Sequence, residues 1–285
     1  MTLREAIVGA ASRLAGQEDL RADAQRDAEL LLLHVLGASR TVLFTDGGRA
    51  LGERELVEYE ALVARRLRGE PIQYIVGEQE FYGLALKVTP AVLIPRPETE
   101  LLVSAVLGRV PADCAMRIVD VGTGSGAIAI AIAKHLPFAE VTGVDLSAAA
   151  LAVARENAAR HGLGERIRFV ESDLLAAVSG EREVFDAVLS NPPYVPDSDS
   201  ESLHRQVREY EPEGALFAGA DGLEVYRRLI PQAARALRPG GLLAMEFGYG
   251  QRGALAELLR EWDAVEFLDD LQGVARVALA QAATP

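Results

Sequence analysis

The chain has 285 residues, 49% hydrophobic and 25% charged, a balance that excludes disordered and fibrous classes and is long enough for two globular domains. Its 29 basic and 42 acidic side chains give a net charge of −13, which argues against stable nucleic-acid binding, since that contact rests on lysine and arginine neutralising phosphates. No apolar run approaches the roughly 18–20 residues that cross a bilayer, and residues 1–15 lack the layout of a secretory signal, so a cytoplasmic protein without membrane contact is expected.

The first helix is expected at once, over 2–15, with Leu3, Ile7 and Leu14 on one stripe and Thr2 and Glu5 spaced for a capping box. A second is predicted over 23–36 with Gly37 as its stop, and a third over 53–68 with Leu56, Val63 and Leu67 on one face. Residues 1–75 therefore read as a small all-helical domain; they carry 10 basic and 12 acidic groups, against 19 and 30 in the acidic remainder. Residues 76–96 then suit a β-hairpin linker, with strands either side of the Thr89-Pro90 turn and with Phe81 and Tyr82 as packing residues. A helix over 97–107 follows, where Pro97 fits a first-turn position and Glu98 and Glu100 complement the helix dipole.

From residue 117 short β-rich runs alternate with helical ones: strands over 117–120, 140–145, 167–171, 184–190, 241–247, 264–268 and 274–280, with helices over 126–136, 147–161, 222–237 and 251–262. Such alternation predicts an α/β domain over 97–285, a doubly wound and mostly parallel seven-stranded sheet. The short connection between the last two runs predicts an antiparallel edge hairpin.

Asp120, Gly122, Thr123, Gly124, Ser125 and Gly126 follow the first sheet strand and open a helix. Glycines at such a turn let a ligand lie against bare backbone. With Ala127 the run also satisfies the Gly-x-Gly-x-x-Gly/Ala dinucleotide fingerprint, so a nicotinamide dehydrogenase is an alternative at this stage. Asp145 ends the next strand 23 residues beyond Gly122, where a carboxylate accepts the hydroxyls of an adenosine ribose; with Ser147 it also suits a helix cap. Asp173 and Leu174 follow the third strand, a position that serves an adenine ring in such folds. Cys114 is the single cysteine and His34, His135, His161 and His204 are scattered, so no disulfide and no metal site is expected.

Asn191, Pro192, Pro193 and Tyr194 come at the carboxyl end of the fourth strand, where doubly wound folds bind ligands. The prolines fix the backbone and leave carbonyl acceptors, Asn191 adds a side-chain carbonyl, and Tyr194 a flat face. Together they suit a planar NH2 group held by both hydrogens. An amide or ring amine nitrogen is a poor nucleophile because its lone pair is delocalised, and holding both N–H bonds favours a pyramidal, reactive nitrogen.

These residues resemble the class I S-adenosylmethionine-dependent methyltransferases that modify nitrogen. Phe81-Tyr82-Gly83, the run from Ile94 through Arg96, Glu98 and Thr99 to Glu100, the glycine turn and the Asn191 turn together resemble the peptide chain release factor glutamine methyltransferase family over nearly the whole chain. The resemblance implies methylation of the glutamine side-chain amide in the Gly-Gly-Gln motif of class 1 release factors, and hence a part in translation termination. It implies that Asp120, residues 122–126, Asp145, Asp173, Leu174 and Asn191 contact S-adenosylmethionine, that Asn191, Pro192 and Tyr194 carry the chemistry, and that these three with Pro193 bind the glutamine. The helical domain is expected to recognise the release factor. Relatives often carry an aromatic residue where Leu174 stands, which puts the adenine side in question. Arg96, Glu98 and Thr99 also suit a plain helix start, and Glu246 a strand end. Alternatives are glutamine methylation of a large-subunit ribosomal protein and adenine amino methylation in nucleic acid, which the charge disfavours.

Overall fold

The computed structural model describes residues 1–111, 113–178 and 185–284; Val184, the expected start of the fourth sheet strand, lies outside them. The chain divides into two units, Met1–Glu78 with Ser202–Tyr210, and Gln79–Glu201 with Glu211–Pro285.

In the first unit, α1 (Leu3–Ala15) opens with the expected reciprocal cap: Glu5 N–H donates to Thr2 Oγ1 at 3.2 Å and Thr2 N–H to Glu5 Oε2 at 2.8 Å. Helix α2 (Ala24–Leu36) stops at Gly37 in the left-handed conformation. Three more helices follow, α3 (Thr41–Thr45), α4 (Glu53–Leu67) and α5 (Ile72–Val76). Leu3, Ile7 and Leu14 pack with Leu31, Leu32, Tyr59 and Val63. The buried stripe of α4 is Tyr59, Val63 and Arg66, not the expected Leu56, Val63 and Leu67. The face is turned by a buried ion pair: Arg66 Nε donates to Asp27 Oδ2 at 2.6 Å, and Tyr59 donates to the Ala28 carbonyl at 3.0 Å. Burial raises the Asp27 pKa in spite of that guanidinium.

In the chain that follows, β1 (Glu78–Phe81) and β2 (Leu84–Lys87) pair around Tyr82 and Gly83, with φ of 52° and 75°. Positive φ at both central residues is the type I′ geometry that matches strand twist. The hairpin thus turns at 82–83 rather than at Thr89-Pro90, and residues 91–95 form no strand. Pro90 and Pro95 lack amide donors, while Val92 and Ile94 are buried and the Ile94 N–H donates to Glu211 Oε2 at 3.2 Å. Phe81 is fully buried, as its packing role requires, and Tyr82 packs edge-on against His135.

The sheet is built from β3 (Arg117–Val121), β4 (Glu140–Asp145), β5 (Ile167–Glu171), β6 (Phe185–Ser190), β7 (Leu237–Glu246), β8 (Asp263–Asp269) and β9 (Ala275–Gln281) in the order β5-β4-β3-β6-β7-β9-β8. The first five are parallel and β9 pairs antiparallel with both β7 and β8, the expected edge hairpin. Side chains alternate across it: Ile118, Ala187, Leu189 and Ala244 face one core with α6 (Thr99–Leu107), α7 (Ala127–His135) and part of α8 (Ala148–Arg160). Val119, Val121, Val188, Leu243 and Met245 face the other, with α10 (Glu224–Ala236) and α11 (Arg252–Leu258). The remaining helix, α9 (Arg205–Tyr210), lies in the part of the β6–α10 connection that groups with the first unit. Register pairs Val121 with Val144 and with Ser190, and Ser190 with Met245, so the carboxyl ends of the central strands finish level. Strand order reverses about β3, which opens a crevice at those ends.

Candidate active site

The glycine turn leaves β3 into that crevice. Gly122 and Thr123 N–H both donate to the Val144 carbonyl at 2.9 Å, pinning the turn to the neighbouring strand. Gly122, Gly124 and Gly126 have φ of 71°, 55° and 83°, but their tasks differ. A Cβ at Gly122 would meet nothing within 4 Å and one at Gly124 only the Gly122 carbonyl at 4.0 Å, so both leave bare backbone for a flat ligand. At Gly126 it would lie 3.0 Å from Ile130 Cδ1 and 3.2 Å from Ala154 Cβ, so this glycine serves the packing of α7 on α8.

Asp120 is fully buried beneath the turn, its Oδ2 accepting from Thr123 Oγ1 at 2.6 Å and from Ala129 N–H at 3.2 Å. Among the described residues Oδ1 has no partner. Burial pushes the carboxyl up to about 7. Thr123 is thereby committed to the shape of the turn. The Ser125 carbonyl accepts from Asn157 Nδ2 at 2.9 Å, and the same fully buried amide brackets the Lys87 backbone, so α8 holds the turn from behind. Asp145 accepts from Gly124 N–H and Ser147 N–H, both at 2.9 Å, one on each oxygen. The second lone pair of each oxygen remains for a diol. Asp173 is directed elsewhere: its Oδ2 takes Arg228 Nη2 at 2.5 Å on the surface. Leu174 has φ of 51° and packs under the second core.

The Asn191 turn begins where Ser190 Oγ donates to the Val121 carbonyl at 2.7 Å, locking the ends of β6 and β3 together. Asn191 Nδ2 donates to Thr99 Oγ1 at 3.0 Å; among the described residues Asn191 Oδ1 takes no hydrogen bond. Pro192 is buried, Pro193 half-buried. Tyr194 is wedged by residues the sequence did not single out. Gln251 Nε2 donates to the Tyr194 carbonyl at 2.9 Å and Gln251 Oε1 accepts from Gly248 N–H at 3.0 Å. A Cβ at Gly248 would lie 2.9 Å from Tyr194 Cδ2, and one at Gly222 would lie 2.3 Å from the Tyr194 carbonyl oxygen. Burial raises the Tyr194 hydroxyl pKa, so the ring is a neutral face.

Around this turn, Arg96 Nη2 pairs with the buried Glu211 Oε1 at 2.6 Å, which anchors the segment leading into α6. Glu246 ends β7 with 2% exposure; burial, then the Glu98 charge, lift its carboxyl to about 7 against the Thr99 hydroxyl, Arg276 and Arg96. Between the ordinary carboxylate range near 4 and about 7, the native state keeps protons on Asp120 and Glu246 that the unfolded chain has lost. Their stabilising contribution is therefore full below that window and declines as pH rises through it. Asp27 and Glu211 are shifted in the same direction. Scanning calorimetry should show Tm falling from about pH 5 to about pH 7, and less steeply in Glu246→Gln. An unchanged slope in that variant would contradict the assignment.

Among the described residues no three His, Cys, Asp or Glu side chains could together hold a metal ion, and no helix is long and apolar enough to cross a membrane.

A bare glycine turn, an acid after the next strand and an Asn-Pro-Pro-Tyr turn after β6, on this sheet order, define a class I methyltransferase. Residues 5–77 match the family model PrmC N-terminal domain and residues 97–210 the Methyltransferase small domain. The chain is 43% identical over 284 residues to the release factor glutamine methyltransferase of Koribacter versatilis, covering 100% of both chains. It is 44% identical to that of Moorella thermoacetica, covering 98% of each. The chain belongs to the release factor glutamine methyltransferase family. Among solved structures, a methyltransferase from Pyrococcus furiosus aligns with TM-score 0.53 at 18% identity, over 78% of this chain and 98% of that one. The T. thermophilus 16S rRNA N2 G1207 methyltransferase, solved with AdoMet and guanosine, aligns with TM-score 0.53 at 21% identity, over 72% of this chain and 49% of that one; both likenesses concern the fold alone.

Proposed function

We propose that this protein transfers the methyl group of S-adenosylmethionine to the side-chain amide nitrogen of the glutamine in the Gly-Gly-Gln motif of class 1 release factors. The observation that carries the proposal is the Asn191 turn, set level with the glycine turn, with Asn191 Oδ1 left as an uncommitted acceptor.

The residues present fit the cofactor. Gly122 and Gly124 offer a backbone cradle that a Cβ would fill, and each Asp145 oxygen keeps a lone pair for a ribose hydroxyl. Asp120, Thr123, Ser125 and Gly126 hold that cradle in shape. Leu174 would supply an apolar contact on the adenine side, whereas Asp173, held by Arg228 on the surface, is left out of the cradle. When bound, S-adenosylmethionine supplies an electrophilic methyl sulfonium.

The protein's part is to present the nitrogen. Asn191 Oδ1 and a carbonyl of the proline pair accept the two amide hydrogens, Tyr194 supports the flat group, and the nitrogen is held in line with the methyl carbon. S-adenosylmethionine would supply the methyl group with its sulfonium as leaving group, while these residues hold the nitrogen, whose surplus proton would pass to water. No strong base is needed before transfer, and positioning alone can contribute several of the ~7–11 kcal/mol available from proximity.

The helical domain of residues 1–75 is assigned to recognising the body of the release factor, which places the protein in the cytoplasm, where translation terminates. The net charge of −13 supports a protein substrate rather than a nucleic acid. With labelled cofactor and, separately, a release factor, a large-subunit ribosomal protein and duplex DNA, the label should enter the release factor. The folded factor should far exceed a short Gly-Gly-Gln peptide in kcat/KM. Label on the ribosomal protein or DNA alone would overturn the substrate, and equal kcat/KM for factor and peptide would overturn the role of the helical domain.

A further inference from the structure

Three loops meet at Tyr194: the Asn191 turn after β6, the Asp221-Gly222 turn before α10, and the loop over 247–251 after β7. One side chain ties them together. Gln251, the residue before α11, donates from Nε2 to the Tyr194 carbonyl at 2.9 Å and to the Gly222 carbonyl at 3.3 Å, and its Oε1 accepts from Gly248 N–H at 3.0 Å. Both amide hydrogens and the amide oxygen are thus engaged, and all three partners are main-chain groups. A carbonyl can only accept and an N–H only donate, so the amide fits one way round: reversed, Oε1 would oppose two oxygens and Nε2 another donor. The glycines make the room. A Cβ at Gly222 would lie 2.8 Å from Gln251 Nε2, and one at Gly248 3.1 Å from Gln251 Oε1, besides the contacts each would make with Tyr194.

We propose that Gln251 is a positioning residue for methyl transfer, bracing the Asn191 turn at its Tyr194 end so that the amide acceptors and the flat ring keep one mutual geometry. This role rests on the amide-clamp reading of that turn and adds to it a side chain that touches neither reacting atom. Between Asn191 and Tyr194 stand two prolines whose rings fix φ, so the turn moves as one piece and a hold at either end is felt at the other. At the upstream end Ser190 Oγ donates to the Val121 carbonyl at 2.7 Å, which ties the turn to β3. At the downstream end Val195 N–H donates to the Leu216 carbonyl at 2.9 Å, but among the described residues only Gln251 meets the Tyr194 carbonyl itself. Without that brace the turn is free to tilt about its upstream tie, and a displacement of about 1 Å at the reacting nitrogen can cost on the order of a hundredfold in rate. Charge matters as much as length at this position. Glutamate has the same shape and keeps an acceptor for Gly248 N–H, yet its ionised form sets a second oxygen against the Tyr194 and Gly222 carbonyls; protonated, it regains one donor toward Tyr194.

The test compares wild type, Gln251→Glu and Gln251→Met on a full-length release factor between about pH 6 and about pH 8.5, with cofactor Kd by calorimetry. At the upper end kcat of Gln251→Glu is expected to fall about tenfold or more with cofactor Kd within about threefold of wild type, because the glycine turn and Asp145 make their own hydrogen bonds. As pH falls and the carboxyl protonates, the ratio of its kcat to that of wild type should recover about threefold or more, whereas Gln251→Met, with nothing to titrate, should stay low by a constant factor. The charged and titratable groups beside the junction, Asp221, Glu224 and Arg227 at α10, Arg252 on α11, and Glu246 and the phenols of Tyr194 and Tyr249 at the strand end, are common to all three proteins, so the ratio removes their titration. Gln251→Glu turning over at the wild-type rate near the upper end, or recovering no more than Gln251→Met at the lower, would overturn the proposal. So would a loss of cofactor affinity as large as the loss of kcat, which would mark a general loosening of the site. If Gln251→Glu does not fold, Gln251→Met decides: kcat about fivefold or more below wild type at unchanged cofactor Kd supports the brace, and wild-type kcat overturns it. A wild type that methylates no release factor overturns the functional reading and this inference with it; an active wild type with indifferent Gln251 variants overturns the inference alone.

Discussion

Replacing Asn191 with alanine is expected to lower kcat by roughly 30- to 800-fold, the equivalent of ~2–4 kcal/mol of transition-state stabilisation, as when other preorganised polar groups are removed. The effect falls on kcat because the side-chain oxygen holds the amide hydrogen most strongly as the nitrogen becomes pyramidal and positive. Cofactor affinity should change little, since the bare glycines and Asp145 lie on the β3 and β4 side of the crevice and keep their own hydrogen bonds. Alanine also leaves Thr99 Oγ1 without its partner, so a small loss of Tm accompanies the loss of rate. Single-turnover kinetics with calorimetry of cofactor binding separate the two. Turnover near that of wild type would mean that the clamp is misassigned.

Gly222→Ala is expected to have the second largest effect, although Gly222 belongs to no motif. Its φ of 71° is strained for any side chain, by about 1–2 kcal/mol, and the added Cβ would lie 2.3 Å from the Tyr194 carbonyl oxygen. Backbone cannot yield as a side-chain tip does, so one of the two turns must shift, at about 1–3 kcal/mol more. The shift breaks the bond from Gln251 Nε2 to that carbonyl and carries Tyr194 out of register with Asn191. Turnover should fall more than tenfold or so with a lowered Tm, whereas Gly253→Ala, in α11 with nothing within 4 Å, should behave as wild type. Equal behaviour of the two variants would show that Tyr194 does not depend on this packing.

What could be read from the sequence was what the chain writes contiguously. The glycine turn, Asp145 and the Asn191 turn each sit at a strand end, and strand ends are legible because burial on both faces leaves nearly continuous apolar runs before them. The edge hairpin followed from a connection too short for a helix. Thr99, Glu211, Gly222 and Gln251 act through partners 92, 115, 29 and 57 positions away, and separations of that size carry no local signal. An Asp-Gly pair at 221–222 marks a turn but not what the turn must clear. The stripe of α4 was misplaced because hydrophobic periodicity cannot see an arginine buried by a partner 39 positions away. The linker hairpin was misplaced because Tyr82 takes a left-handed φ that tyrosine rarely adopts, while the Thr89-Pro90 pair looked like the better turn.

In the proposed reaction the amide nitrogen of one glutamine receives the methyl group. Tandem mass spectrometry of a release factor incubated with the protein and isotopically labelled S-adenosylmethionine tests it most directly. The label is expected on the side chain of the Gly-Gly-Gln glutamine and should disappear when that glutamine is replaced by glutamate. A methyl group on any other residue, or one that persists after that replacement, would contradict it.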